Sequence, residues 1–259
     1  MRIIMGGYFE GLYWESGVLQ GILENQNKID FYLSGTGSLI GIFFSLYQEN
    51  FLGKLKNFLY EKENPLNSII SKDIYQSRYS QITSLYKLGR GNNSLYNNKE
   101  LEEYLKSYFK TLKISDLKEN IELEVFDLKN RQFKIISKET YIYEALTMEL
   151  SVPPYYQYYE HDEGLYIPSS YLSIIPVNDI KNDDIIISYE SKVELPIPKN
   201  GVEILLKISN RRSIKNYRIY TNSKNKIEPE NISENPYNIK EFFNGKKAAY
   251  KFLEGINEN

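Results

Sequence analysis

The chain has 259 residues, 41% hydrophobic and 25% charged, which is enough to bury a full core as one large or two small domains. Its 32 basic and 34 acidic residues leave a formal charge of −2, so there is no global attraction to nucleic acid or anionic lipid. No cysteine is present for a disulfide, a thiolate nucleophile or a thiolate metal site, and a single histidine, His161, excludes an all-imidazole metal site and any Ser-His-Asp triad that does not use it. The chain is therefore expected to need no metal and no cofactor.

Residues 2–5 are a short apolar strand that stops at Gly6-Gly7. A strand beginning this early leaves no cationic leader with an apolar region and cleavage site, so the expected location is cytoplasmic. Residues 11–25 carry Leu12, Val18, Leu19, Ile22 and Leu23 at mostly helical spacing. Residues 29–34 read as a second buried strand, followed by a glycine-punctuated turn and an apolar helix over 39–47. This opening strand–helix–strand–helix run is typical of a parallel sheet, and the helix is about half the roughly 20 residues a membrane span needs. No transmembrane segment is expected.

Helix continues over 49–62, with Phe51, Leu52, Leu55, Phe58 and Leu59 on one face. Residues 63–98, broken by Pro65, Gly89 and Gly91, read as loop with one or two short helices. Asn98 is placed as the cap of a helix over 99–112. Ile121-Glu122-Leu123-Glu124-Val125 alternates as a strand, Lys129-Asn130 turns it, and 132–136 returns as the second arm of an antiparallel hairpin. A helix over 140–150 stops before Pro153-Pro154. Residues 155–159, 164–167 and 185–189 read as strands, the last apolar and central. Pro196 and Pro198 mark a linker into a helix over 201–212, and 240–253 is a final amphipathic helix. All of it reads as one domain, 1–259: opening loops and helices (1–62), a variable loop region (63–98), the hairpin and second half of the sheet (99–190), and C-terminal helices (191–259).

The turn Ser34-Gly35-Thr36-Gly37-Ser38-Leu39-Ile40-Gly41 has the layout of a nucleophile elbow, in which a strand ends in a sharp turn at a helix N-terminus. The expected pattern is G-x-S-x-G. From Gly35 this chain reads G-T-G-S-L, so the nucleophile position holds Gly37 and the closing glycine is Leu39.

Five stretches in order resemble the patatin-like phospholipases. They are Met5-Gly6-Gly7-Tyr8-Phe9-Glu10-Gly11 with Gly17-Val18-Leu19, the strand and turn through Gly35-Thr36, Glu149-Leu150-Ser151-Val152-Pro153, Gly164-Leu165-Tyr166-Ile167 with Pro176-Val177, and the closing Phe243-Asn244-Gly245-Lys246-Lys247-Ala248-Ala249-Tyr250. The resemblance implies a three-layer α/β/α sandwich with a largely parallel central sheet, and acyl-ester hydrolysis by a Ser-Asp dyad beside an oxyanion loop at Gly6 and Gly7. Four departures fall at the reacting centre. Gly37 replaces the serine, Leu39 the next glycine, Pro168-Ser169-Ser170 the Asp-Gly-Gly triplet, and Glu10 the basic residue of the loop. Gly37 has no hydroxyl and Pro168 no carboxylate, so neither half of an acyl-transfer pair is present. Leu39 is expected to tilt the helix or to fill the space of a substrate acyl group.

What the resemblance then implies is a pseudoenzyme that binds a lipid or fatty-acyl ligand, or that forms a homo-oligomer or a hetero-oligomer with an active paralogue. Two alternatives stay open: a weak serine lipid acyl hydrolase using Ser38, and a structural assembly subunit. The simpler reading of Ser38 is as cap of the 39–47 helix. His161 reads as a solvated turn residue, and so do Asp162 and Glu163 beside it, against an alternative in which either stands in for the missing acid near Pro168. The run Tyr155-Tyr156-Gln157-Tyr158-Tyr159 is expected to divide its rings between core and surface. Arg211-Arg212, with Lys207 and Lys215, reads as a solvated helix end, against a phosphate or headgroup site.

Overall fold

The computed structural model describes residues 1–25, 28–67, 86, 94–153, 155–192, 197, 201–222, 224–233 and 235–257. Most of the expected 63–98 loop and the Pro196 and Pro198 linker lie outside them. In chain order the main elements are β1 (Arg2–Met5), α1 (Leu12–Leu23), β2 (Asp30–Leu33), α2 (Thr36–Tyr47), α3 (Phe51–Tyr60), α4 (Asn98–Phe109), β3 (Asn120–Asp127), β4 (Gln132–Ile135), α5 (Ile142–Leu150), β5 (Tyr159–His161), β6 (Gly164–Pro168), α6 (Ser170–Ser173), β7 (Ile185–Ile187), α7 (Gly201–Tyr220), β8 (Asn225–Ile227) and α8 (Ile239–Asn257). They form two compact units. One comprises Met1–Ile42, Lys118–Glu124 and Ser169–Asn259; the other comprises Phe43–Leu117 and Val125–Pro168.

In the first unit the strands run β3-β2-β1-β7-β8 and every pairing is parallel. Ile3, Ile4, Met5, Phe31, Tyr32, Leu33, Ile186 and Ile187 are wholly buried. Strands covered on both faces have no polar alternation to show, which is why they read as unbroken apolar runs. The expected 185–189 strand is interior, paired to β1 and β8, but ends at Ile187.

Helices α1 and α8 cross backbone to backbone. A Cβ on Gly17 would overlap the Phe242 carbonyl, one on Gly245 would overlap the Trp14 carbonyl, and one on Gly21 would lie 2.7 Å from Ala249 Cβ. Glycine is needed wherever two backbones approach this closely. The Gly-Val-Leu stretch at 17–19 and the closing stretch at 243–250 are thus two sides of one contact.

At the opposite end of β1, Arg2 bonds Asp184 (Nε to Oδ1, 3.0 Å) and Asp179 (2.8 Å) and lies over the Tyr32 ring, 5.1 Å from its centroid. The hydrogen bond from Arg2 holds the Asp179 carboxyl below its ordinary range. A depressed carboxylate pKa stabilises the fold above the unfolded value of about 3.9 and is lost as pH falls through the folded one. Arg2→Met is therefore expected to move the midpoint of acid unfolding to higher pH. An unchanged midpoint would show that the pair adds nothing.

In the second unit β6 lies between β3 and β5, antiparallel to both, and β4 pairs with β3 across the turn at 128–131. The rings of Phe43, Phe58, Tyr108 and Phe109 pack with centroids 4.9 to 6.1 Å apart. Three expectations change here. Asn97, not Asn98, caps α4, its side chain accepting from the Lys99 N–H at 3.0 Å, while Asn98 turns inward to Ser151 Oγ (2.8 Å) and the Gln157 carbonyl (2.9 Å). Helix α4 also stops at Phe109, because Lys110 takes a φ of 54°. Residues 155–158 are not strand. The Tyr156 N–H donates to the Val152 carbonyl in a turn, and the buried rings are Tyr156 and Tyr159, three residues apart rather than alternate.

Candidate functional site

Parallel pairing with Met5 opposite Leu33 brings the ends of β1 and β2 level, so Gly6-Gly7 and Gly35-Thr36-Gly37 emerge side by side. The two turns bond to each other. Thr36 N–H donates to the Gly7 carbonyl (3.3 Å), Gly37 N–H to the Gly6 carbonyl (3.1 Å), and Thr36 Oγ1 to the Tyr8 carbonyl (2.8 Å). Helix α2 starts at Thr36, earlier than expected, so its first amides are satisfied by the neighbouring loop. No serine cap is needed.

Ser38 accordingly lies inside the first turn of α2 rather than at its cap, wholly buried, with no hydrogen-bond partner for its hydroxyl among the described residues. Gly37 faces the first strand. A Cβ added there would lie 2.7 Å from both the carbonyl carbon and oxygen of Met5 and 2.9 Å from Gly6 N. Gly41, one turn on, has its bare face on the Leu33 side chain. Leu39 is two residues from each, about 200° around the helix. It points away from the strands, which corrects the expectation that it tilts α2: Gly37 and Gly41 supply the close approach.

The loop after β1 is held from a third side. Gly7, at φ 84°, donates its N–H to the Ile174 carbonyl at 2.5 Å, and a Cβ on Gly6 would overlap that same carbonyl. Ile174 itself has φ 70°, a left-handed conformation costly for a β-branched residue. The amide that the resemblance assigns to an oxyanion is thus engaged by protein. Glu10 is half-buried in the short 3-10 turn Phe9–Gly11.

Pro168 ends β6 opposite Val125. Within the first unit, the Ser170 N–H donates to Ser34 Oγ at 3.0 Å, and the Ser169 N–H to the Glu124 carbonyl at 3.4 Å. The Ser170 hydroxyl is buried against Gly35, 2.5 Å from where a Cβ would stand, and has no hydrogen-bond partner among the described residues. Gly35 has φ 59°, so a side chain there would be both strained and blocked.

Glu124 organises this segment and was not anticipated. It is wholly buried, accepting from the Tyr32 hydroxyl, the Val177 N–H (3.0 Å) and the Asn178 N–H (3.1 Å). Burial pushes its carboxyl above the ordinary range, with the three donors opposing that shift. No signal in the sequence marks it, since Glu124 alternates with Leu123 and Val125 just as the half-buried Glu122 does with its neighbours.

His161, expected to be solvated, is half-buried at the end of β5, its ring stacked on Tyr159 and its Nε2 3.5 Å from Asp162. Asp162 takes a φ of 50° in the β5–β6 turn, and the Glu163 carbonyl accepts from Lys129 Nζ at 3.0 Å. Within its own unit, Ser38 Oγ has no carboxylate partner among the described residues. Arg211 and Arg212 stand near the middle of α7, which runs on to Tyr220, so they are not a helix end.

A glycine loop and a strand–turn–helix at the ends of adjacent parallel strands define an α/β protein of hydrolase-like build. Residues 3–179 match the family described as patatin-like phospholipase, and the chain belongs to that family. It is also similar to the crystal structure of VipD from Legionella pneumophila, with a TM-score of 0.52 and 12% identity over 98% of this chain and 66% of that one. The chain thus spans slightly under two thirds of that protein's solved length, and likeness at this identity shows the fold: α/β/α layers around a mixed sheet. The search of curated proteins gave no match.

Proposed function

We propose that this chain is a patatin-family protein without hydrolase activity, which binds a lipid or fatty-acyl ligand or regulates a partner. The observation that carries the reading is the packing of Gly37. The family's nucleophile position has no side chain, and it lies so close to Met5 and Gly6 that a Cβ would have to displace backbone. Pro168 at the acid position and the Gly7–Ile174 hydrogen bond support it, since acyl transfer needs a nucleophile, an activating group and free oxyanion donors together. In this reading Gly6, Gly7, Gly35, Thr36 and Leu39 keep the frame of an active site while Gly37 and Pro168 remove its chemistry. The buried hydroxyls of Ser38 and Ser170 supply donors for a ligand's polar head.

We also treat 1–259 as one functional domain, because the chain passes between the two units at 42/43, 117/118, 124/125 and 168/169. Neither unit is a continuous piece of sequence.

The test pairs turnover with retention. Purified protein is expected to hydrolyse neither nitrophenyl esters nor phospholipids above background, and to carry fatty acid in native mass spectra that Ser170→Leu reduces. Ser38 motivates a second reading, as its unpartnered hydroxyl is one residue from Gly37. Fluorophosphonate labelling that disappears in Ser38→Ala would establish that reading and end the first. A tight hetero-complex with no retained lipid would instead favour an assembly subunit.

A further inference from the structure

The basic residues at 207–218 are not absorbed by the reading above, and they lie beyond the family-matched segment, which ends at 179. Helix α7 carries Lys207, Arg211, Arg212, Lys215 and Arg218 against Glu203 alone, a net +4 on 20 residues in a chain whose formal charge is −2. One side of the helix is anchored. Ser213 Oγ donates to the Tyr171 carbonyl (2.7 Å), Asn216 Nδ2 to the Leu172 carbonyl (2.8 Å), and Tyr217, almost fully buried, to Glu228 (2.7 Å).

Positions 204, 208, 211, 215 and 219 recur at three- and four-residue spacing and so share the opposite side. There Ile204, Ile208 and Ile219 are 46, 58 and 62% exposed, interleaved with exposed Arg211, Lys215 and Arg218 and flanked by exposed Arg212. A cationic face with exposed branched aliphatics suits the boundary between lipid headgroups and acyl chains, where cations meet phosphate and aliphatic groups leave water. Single-stranded nucleic acid would call for stacking aromatics instead. No helix among the described residues is long and apolar enough to cross a membrane, so a bilayer would be met in plane.

We propose that α7 is a membrane-docking helix that lays its Ile204, Ile208 and Ile219 face, with Arg211, Arg212, Lys215 and Arg218, on an anionic phospholipid surface. This is independent of how the Gly37 region is read. The helix is about 30 Å long, enough to span several headgroups. The rest of the molecule is acidic overall, which orients this face toward the bilayer.

The test is co-sedimentation of the full chain with phosphatidylcholine vesicles, with and without phosphatidylserine. Binding is expected only with the anionic lipid and is expected to weaken with salt. Each cation near such a surface is worth about fivefold in affinity, so Arg211→Gln, Arg212→Gln and Lys215→Gln together should weaken it about a hundredfold. The triple change Ile204→Ser, Ile208→Ser and Ile219→Ser should abolish it. All these positions are exposed, so native circular dichroism is expected. As a readout that tolerates failure of either triple variant, the indole of Ile208→Trp should shift to shorter wavelength with anionic vesicles. No binding to anionic vesicles, equal binding to phosphatidylcholine alone, or no indole shift would overturn the proposal. Binding to heparin that the isoleucine changes leave intact would assign the face to an acidic macromolecule and also overturn it.

Discussion

Gly37→Ser, alone or with Pro168→Asp, is expected to lower the melting temperature and to yield no ester hydrolysis. A Cβ 2.7 Å from the Met5 carbonyl has no rotamer to escape into, because the obstacle is backbone on both sides of the contact. Forcing atoms into a packed site costs about 3 kcal/mol at the upper end of the usual range, or about 6 °C for a chain of this size. If α2 shifts outward to make room, the hydrogen bonds from Thr36 and Gly37 to the Gly7 and Gly6 carbonyls lengthen with it. The serine would then stand beside a loop whose Gly7 amide already serves Ile174. Misplacement of about 1 Å can cost roughly a hundredfold in rate. Calorimetry and nitrophenyl ester turnover check the two halves separately. A double variant that is as stable as the parent and robustly active would mean that the scaffold is still poised for catalysis.

Glu124→Ala is expected to destabilise the protein by about 4 kcal/mol, because it strips the acceptor from two buried donors and a part-buried third at once, and an orphaned buried donor costs about 1–3 kcal/mol. Those donors come from β2 and from the segment after Pro176, so the loss should loosen the stretch that holds Ile174 against Gly7. Amide exchange at Gly7 should quicken accordingly. Charge is separable from contact. A carboxyl raised on folding costs stability as pH climbs from its unfolded value toward its folded one, and costs none below the unfolded value of about 4.3. The parent should therefore gain on Glu124→Gln as pH falls from about 7 to about 5. A melting-temperature difference that ignores pH would show that Glu124 does not change its ionisation on folding.

Glu124 also marks the boundary of what could be read from residues alone. Strands β1, β2 and β7 and the glycine turns after β1 and β2 were legible because burial on both faces leaves apolar runs, and because tight turns between packed layers call for glycine, whereas β8, two of whose three residues are polar, has no such run. The alternation that identifies β3 sets Glu122 and Glu124 on one face and says nothing of what covers it. It could not reveal that Tyr32 and two backbone amides converge on one of them. At the candidate site, Gly37 and Pro168 stand out in the sequence where the resemblance calls for a serine and an acid, yet the meaning of Leu39 does not. Which side of α2 meets the strands depends on Gly37 and Gly41 together, and a motif of five residues ends before the second. The basic pair Arg211-Arg212 resembles a helix terminus, so the expected helix ends at 212, whereas α7 runs on to Tyr220. Asn216, which fastens one of its last turns, finds its partner Leu172 44 residues back in the chain, and Tyr217 finds Glu228 beyond the end of the helix.

The glycine crossing of α1 and α8 bears on when the protein can fold, not only on how. Glu24 at the end of α1 is bonded to Lys246, 222 residues further on, and Gly17 and Gly21 lie on the backbone of the same late helix. On a ribosome, α1 emerges long before α8, and the side that carries Gly17 and Gly21 has nothing to close against until α8 has been made. Its apolar side must wait through synthesis of nearly everything between, at about 5–20 residues per second. Closing so long a loop is a late, entropically costly event. Truncation before α8 is therefore expected to leave the glycine side of α1 uncovered and to lower the yield of folded protein, which expression of residues 1–238 beside the full chain would check.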